Sequence, residues 1–374
     1  MKKILFNNIG KSKNYLKHVE HLFSDYDLIR GKHFSNLCIK ELQPHFPNAQ
    51  LLLTHSATGA LEIIAHLLDI KEGDEIILPS YTFVSTVNAF ASRGATPVFV
   101  DIEPGGLNLN LDIVEQAITS KTKAIVAVHY AGHSCDLNRL KLICQKHSLI
   151  LVEDAAMAFG NTFEGKQLGG IGDFGVISFD VTKQVSAIQG GLLIVNNEKY
   201  KIRANNIYHI GTNRADFTKG VVPYYEWVDV GSKYQMNELN AAFLYEQLLI
   251  LDEIIEKRKS ISKHYFSGLK SLSEKGHISI MNELLVDSNI HEFYVIEKSE
   301  KDRQNLSSFL KVNGVESMFH YIPLHSAKQG IKIGRFIGSD ETQKASEQLL
   351  RLPMHDELTS DDVDYIIEII RKYY

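Results

Sequence analysis

From residue 49 onward the sequence alternates two textures. Short runs rich in Val, Ile and Leu, without a polar residue at every second position, are separated by longer stretches whose apolar residues return every three or four positions. The runs fall at 49–53, 75–78, 96–101, 124–129, 149–153, 176–179 and 192–195, and helical spacing occupies 58–68, 85–93, 110–117 and 137–147. A strand without polar alternation has no face to turn to water, so it must be covered on both sides. Helices between such strands supply that cover and carry the chain back to begin the next strand in the same direction. The pattern therefore predicts the α/β class, with a mostly parallel central sheet between layers of helices.

A further helical pattern begins at Met236, carries Leu244, Leu248, Leu251 and Ile255 at helical spacing, and runs to Tyr265. A helix of that length suggests a bridge between domains. The residues beyond it read as a smaller α+β unit, with a strand at 292–296 and helices at 302–313, 342–350 and 360–372. We expect a large domain over residues 1–240, and a linking helix with a small C-terminal domain over 241–374, a division that suits a chain of 374 residues. A formal net charge of -5 argues against a nucleic-acid partner. No apolar run approaches the about 20 residues that cross a bilayer, and the apolar stretch at the N-terminus is too short for a signal peptide. Three cysteines, Cys38, Cys135 and Cys144, are odd in number and lack metal-ligand spacing, which indicates a reduced, cytoplasmic setting. The 16 histidines include no HxxxH or HExxH pair on a helical pattern, so no metal is expected.

Three places carry polar groups where an open α/β sheet binds ligands, at strand ends and helix starts. In LLLTHSATGALE a strand runs into a helix through small hydroxyl residues. The unpaired N–H groups of such a helix start suit a phosphate, unless Ser56 or Thr58 serves only as an N-cap. Asp154 closes the apolar run ILVED; there its carboxylate is partly desolvated and should face a positive charge or a proton, unless it merely caps a helix. Lys183 follows the run ending at Phe179, in a segment bracketed by Gly172, Gly175, Gly190 and Gly191. It is either a surface lysine or, at the end of a core strand, a poorly solvated amine able to lose its proton and form a Schiff base. Ser178, just before it, offers a hydroxyl to the same phosphate as Thr58. A phosphate site, a carboxylate and an amine in this order are what pyridoxal phosphate requires.

These segments resemble the DegT/DnrJ/StrS family of sugar-nucleotide aminotransferases, over nearly the whole chain. The resemblance rests on LLLTHSATGALE, GDEIILPSYTFVSTVNAF, VEDAA, ISFDVTK, YYEWVDVGSKYQMNELNAAFL, FHYIPLH and RLPMH. It implies the aspartate aminotransferase-like fold (fold type I), pyridoxal 5'-phosphate as cofactor and a homodimer with its sites at the subunit interface. Lys183 is then the Schiff-base lysine and Asp154 the partner of the pyridine nitrogen. Ala57, Thr58 and Ser178 contact the phosphate, and Phe83 stacks on the ring. Ser232 would reach the phosphate of the neighbouring subunit, and Asn213, Lys219, Tyr321 and His325 would face the sugar nucleotide. Three positions depart from the family's pattern: Met157 stands where many members have a glutamine, Asp180 where many have a histidine, and Gln189 where many have a glutamate.

By the same resemblance the reaction is a ping-pong transamination. An amino group passes from L-glutamate to the C4 ketone of dTDP-4-dehydro-6-deoxy-D-glucose, leaving 2-oxoglutarate and a dTDP-4-amino-4,6-dideoxy-hexose, galacto in preference to gluco, for O-antigen or a related lipopolysaccharide. The competing reading is a regulatory homologue that binds the cofactor with little turnover; Met157, Asp180 and Gln189 favour it, and the retained Lys183 and Asp154 oppose it. Residues 211–235 show no strand or helix pattern and are expected to pack on a partner subunit or to form a surface loop.

Overall fold

The computed structural model describes residues 2–10, 12–283 and 288–374. In chain order the strands of the first part are β1 (Gln50–Thr54), β2 (Glu75–Pro79), β3 (Thr96–Val100), β4 (Thr122–Val128), β5 (Ile150–Asp154), β6 (Thr162–Phe163), β7 (Lys166–Gln167), β8 (Phe174–Ser178) and β9 (Gly191–Val195). They are followed by β10 (Ser279–Ile280), β11 (Phe293–Ile296), β12 (Met318–Phe319), β13 (Arg335–Ile337) and β14 (Leu349–Leu352). Eight strands make one sheet in the order β1-β9-β8-β5-β4-β2-β3-β13. Every strand expected between 49 and 195 forms, with ends displaced by no more than two residues.

All pairs from β8 to β13 are parallel, while β9 runs antiparallel to both of its neighbours. The reason is local. The link between β8 and β9 is confined to residues 179–190, and it returns the chain directly beside the strand it has just left. Successive side chains of each strand enter opposite cores. Leu52, Ile76, Leu78, Val126, Val152 and Leu193 pack on helices Ala57–Leu67 and Val84–Ala91. Leu51, Leu53, Ile77, Ile125, Leu151 and Ile194 join the core built with helices His33–Leu42, Leu137–His147 and Glu238–Leu249.

The expected single helix from Met236 to Tyr265 is two helices, Glu238–Leu249 and Leu251–Glu274, which meet at Ile250 (φ -114°, ψ 21°). The apolar spacing continues across the break, so periodicity alone cannot show it. The break lets one stretch serve two cores. Ala241, Leu244 and Leu248 pack under the large sheet, whereas Ile261, Tyr265 and Leu269 pack with β11, β14 and helix Ser360–Tyr373. The second sheet, β10-β11-β14-β12, is antiparallel throughout. Residues 211–235, expected to lack regular structure, contain a short helix, Arg214–Thr218, and are tied down by isolated bridges from Thr212 to Trp227 and from Thr54 to Gln235. Among the described residues no helix is long and apolar enough to cross a membrane.

Adjacent acids in β5 have unrelated fates because side chains alternate along a strand. Glu153 is fully buried and accepts the N–H groups of Gly169 (2.8 Å), Ile171 (2.7 Å) and Gly172 (2.6 Å), with His129 Nε2 3.0 Å away. Burial works against its charge, but the hydrogen bonds from His129 and the backbone outweigh it and hold the carboxyl below its usual range. Glycine is required nearby: a Cβ on Gly175 would lie 2.0 Å from the carbonyl oxygen of Gly169. Glu153→Ala strands these buried donors, so chemical denaturation should show a loss of about 3–5 kcal/mol; a loss below about 1 kcal/mol would mean that water replaces the carboxylate.

Candidate functional site

The carboxyl ends of β1, β2, β4, β5 and β8 lie along one edge of the sheet, and a cavity of about 590 Å³ opens there beneath the C-terminal residues. The helix start after β1 forms one wall. Ser56 is the N-cap, its Oγ accepting the Gly59 N–H at 3.0 Å. Thr58 is not a cap: its hydroxyl donates to Ser85 Oγ at 2.8 Å and lines the cavity. The N–H groups of Ala57 and Thr58 stand outside the helix's own ladder at the positive end of its dipole, which makes this wall an anion site. Strand β9 passes so close that a Cβ on Gly191 would sit 2.4 Å from the Ala57 nitrogen, which explains one of the glycines around Lys183.

Asp154 ends β5 with its side chain on the opposite face from Glu153. It is 5% exposed and caps no helix. Oδ2 accepts from Thr86 Oγ1 at 2.7 Å, Oδ1 from the Ala156 N–H at 3.2 Å, and Thr86 is itself bonded to Thr82 at 3.0 Å. The carboxylate is thus oriented from the helix after β2 and retains free lone pairs toward the cavity.

Lys183 sits in the helix-free link between β8 and β9, half-buried against the cavity. Burial lowers the pKa of its amine below the ordinary lysine value, against the pull of Glu292, Asp154 and Asp180. Asp180 builds the turn that presents it, accepting both the N–H (3.1 Å) and the hydroxyl (2.9 Å) of Thr182. Ser178, Met157, Gln189 and Tyr321 line the same cavity. Phe83 stands at its rim, 57% exposed, with its ring 6.4 Å from that of Tyr321.

Four expected residues are not brought to this cavity within one chain. Ser232 and Lys219 are exposed, and the side chain of Asn213 accepts the Glu226 N–H at 2.7 Å. His325 is held elsewhere: its ring stacks on Phe336 at 3.9 Å, bonds Ser80 Oγ at 2.7 Å and lies 3.3 Å from Asp340. These contacts tie it to the neighbourhood of β13, so it does not face the cavity as expected.

A second charged cluster was missed by the sequence reading. Glu292, 4% exposed, lies 2.5 Å from Arg351 Nη1 and 3.2 Å from His320 Nδ1. Burial opposes its ionisation, but His320 and Arg351 hold its carboxyl well below the usual range. Burial also pushes the histidines His291 and His320 below the ordinary imidazole value. The available signal was a glutamate opening the otherwise apolar strand-like run 292–296, a position that demands a buried partner.

Comparison with known proteins extends this picture. The model of the DegT/DnrJ/EryC1/StrS aminotransferase family matches residues 11–371. The uncharacterized protein MJ1066 of Methanocaldococcus jannaschii is 31% identical over 329 residues, covering 85% of this chain and 84% of that protein. The aminotransferase TlmJ of Streptoalloteichus hindustanus superposes with a TM-score of 0.87 at 27% identity, covering 99% of this chain and 98% of that one. Spr1654 of Streptococcus pneumoniae, solved in a PLP form, superposes with a TM-score of 0.84 at 26% identity and full coverage (100%) of both chains. The large and small sheets therefore form the aminotransferase fold that the motifs implied, and the chain belongs to the DegT/DnrJ/EryC1/StrS aminotransferase family.

Proposed function

We propose that this chain is a pyridoxal 5'-phosphate-dependent transaminase of a nucleotide sugar, moving the amino group of L-glutamate to the C4 ketone of dTDP-4-dehydro-6-deoxy-D-glucose, with the galacto amine as product. The observation that carries the reading is the meeting, in one cavity, of an anion-binding helix start, an oriented carboxylate and a lysine with a lowered pKa. A PLP form is known for the Spr1654 fold relative, and these residue types fit that cofactor. Bound there, it supplies an electron sink for the carbon that exchanges its amino group. The chain's own groups do the rest. The N–H groups of Ala57 and Thr58, with the Thr58 and Ser178 hydroxyls, hold the phosphate. Asp154, steadied by Thr86, keeps a proton on the pyridine nitrogen. The Lys183 amine would hold the aldehyde carbon and would carry the proton of the reacting carbon. The choice of sugar and nucleotide rests on the motif resemblance alone, and the C4 configuration is read directly by NMR of the product.

Holoenzyme should absorb near about 400 nm and lose that band on addition of L-glutamate. Lys183→Ala should fold normally yet lose turnover; activity within tenfold of wild type would exclude the lysine's role. Asp154→Asn should keep most of its cofactor and slow turnover by about 10²–10⁴-fold, whereas unchanged kinetics would leave Asp154 a purely structural group.

A homodimer with shared sites accounts for the three residues other than His325 left outside the cavity and for the exposure of the segment that carries them. Trp227 is 77% exposed, Val221 69% and Tyr224 63%, an apolar surface suited to a second copy. Ser232, Asn213 and Lys219 would then serve the partner's cavity. Mixing Lys183→Ala chains with Ser232→Trp chains tests this, because each heterodimer keeps one intact site. An equal, freely exchanging mixture should regain about a quarter of wild-type activity; no rescue once heterodimers have formed, or an active monomer in sedimentation, would refute sharing.

A further inference from the structure

The cavity that holds Lys183 contains one other cation among its described lining residues, Arg351. It projects from β14, and its side chain is 11% exposed. Nη1 donates to Glu292 Oε1 at 2.5 Å, Nη2 donates to the Phe319 carbonyl at 3.2 Å, and the Phe6 ring covers the guanidinium at 4.9 Å. Arg351 Nε is buried without a hydrogen-bond partner, as is Nδ1 of His291, which lines the same cavity. The contacts to Glu292 other than Arg351 are longer: His320 Nδ1 at 3.2 Å, Tyr130 Oη at 3.5 Å and His291 Nε2 at 3.6 Å. The cluster thus has donor capacity to spare on Arg351 and a carboxylate with other groups waiting beside it.

A ping-pong transaminase sets a particular electrostatic problem. The same space must receive an amino acid, with a carboxylate beside its reacting carbon, and then a sugar ring that presents only hydroxyls there. A bare buried arginine would suit the first and be left uncompensated by the second, at high cost. An arginine locked permanently to an internal acid would do the reverse.

Building on the transaminase reading, we propose that Arg351 binds a carboxylate of the amino donor and that Glu292 is its exchangeable internal counter-ion. When the donor enters, its carboxylate takes the guanidinium, and Glu292 turns to the His320 and Tyr130 groups that already approach its second oxygen. When the keto sugar enters, Glu292 closes again on Arg351, so that no buried charge is left alone. Phe6, across the guanidinium face, keeps the fork in one plane for both partners.

The test uses holoenzyme, with maleate as an unreactive dicarboxylate probe followed by calorimetry. The two half-reactions are followed separately through the cofactor's absorbance, the sugar half-reaction starting from enzyme loaded with pyridoxamine phosphate. Arg351→Met should weaken maleate and raise the half-saturating L-glutamate concentration by about tenfold or more, while the keto-sugar half-reaction changes much less. Arg351→Lys, which keeps the charge but loses the fork, should fall between. Glu292→Gln should act in the opposite direction on maleate, tightening it, while slowing the keto-sugar half-reaction. That opposition of sign separates an exchangeable counter-ion from a structural ion pair. Glu292→Gln weakening maleate as Arg351→Met does, or Arg351→Lys and Arg351→Met impairing both half-reactions alike, would overturn the proposal. A wild-type holoenzyme whose absorbance no amino acid changes would instead remove the transaminase reading, and this inference with it.

Discussion

The strands from β8 to β3 are covered by side chains on both faces, and that double burial governs where every reactive group lies. Parallel neighbours need a crossover between strands, so the carboxyl end of each strand reaches the same edge of the sheet before the chain turns back. Thr58, Thr86, Asp154 and Ser178 come from four separate stretches of the chain and meet at one cavity for this reason. None of them is near another in sequence except through the sheet. Backbone N–H groups at the helix start and a carboxylate at a strand end are what such an edge supplies, and the pyridoxal phosphate proposed here uses both.

The single departure from parallel pairing has a functional consequence. A helix-free link after β8 turns the chain directly back as β9, and Lys183 stands in that link. An amine there is carried by a short, tightly packed connection. Gly190 and Gly191 permit the packing: a Cβ on Gly190 would fall 2.4 Å from Met236 Cε, and one on Gly191 would meet the Ala57 backbone. The same close approach sets the amine and the anion-binding helix start on adjacent walls of one cavity. Asp180 spends its side chain on Thr182 within this turn, so its placement is understandable without assigning it a direct part in chemistry.

The opposite wall is built on a different principle. The C-terminal sheet contributes Glu292, Arg351 and His320, and the N-terminal segment is laced between the two parts. Ile4 pairs with Val315, Phe6 lies over Arg351, and the Asn7 side chain donates to the Thr182 carbonyl at 3.1 Å. Charges in such a place are affordable only in company. The Lys183 amine therefore feels both Glu292 and Arg351, and these two hold each other in the charged form.

How much of this was legible without coordinates depended on the range of the determining interaction. Strand runs and helical spacing are local consequences of burial, so seven of the eight strands of the large sheet could be read directly, and so could the strand-end positions of Asp154 and Ser178. Local signals could not say that Ser56 caps the helix while Thr58 faces the cavity, nor that Glu153 turns away from the site that Asp154 enters. The break at Ile250 was invisible because the apolar period runs through it. His325 lies outside the cavity because Ser80, Phe336 and Asp340 hold it, contacts that leave no local signal in the sequence. The Glu292–Arg351 pair joins residues 59 positions apart. By itself the sequence determined the class of the sheet, the strand ends that bear reactive groups and, through its motifs, the family. Which side chains share a cavity was decided only by tertiary structure, because ion pairs and hydrogen bonds between distant residues leave no periodic trace in the chain.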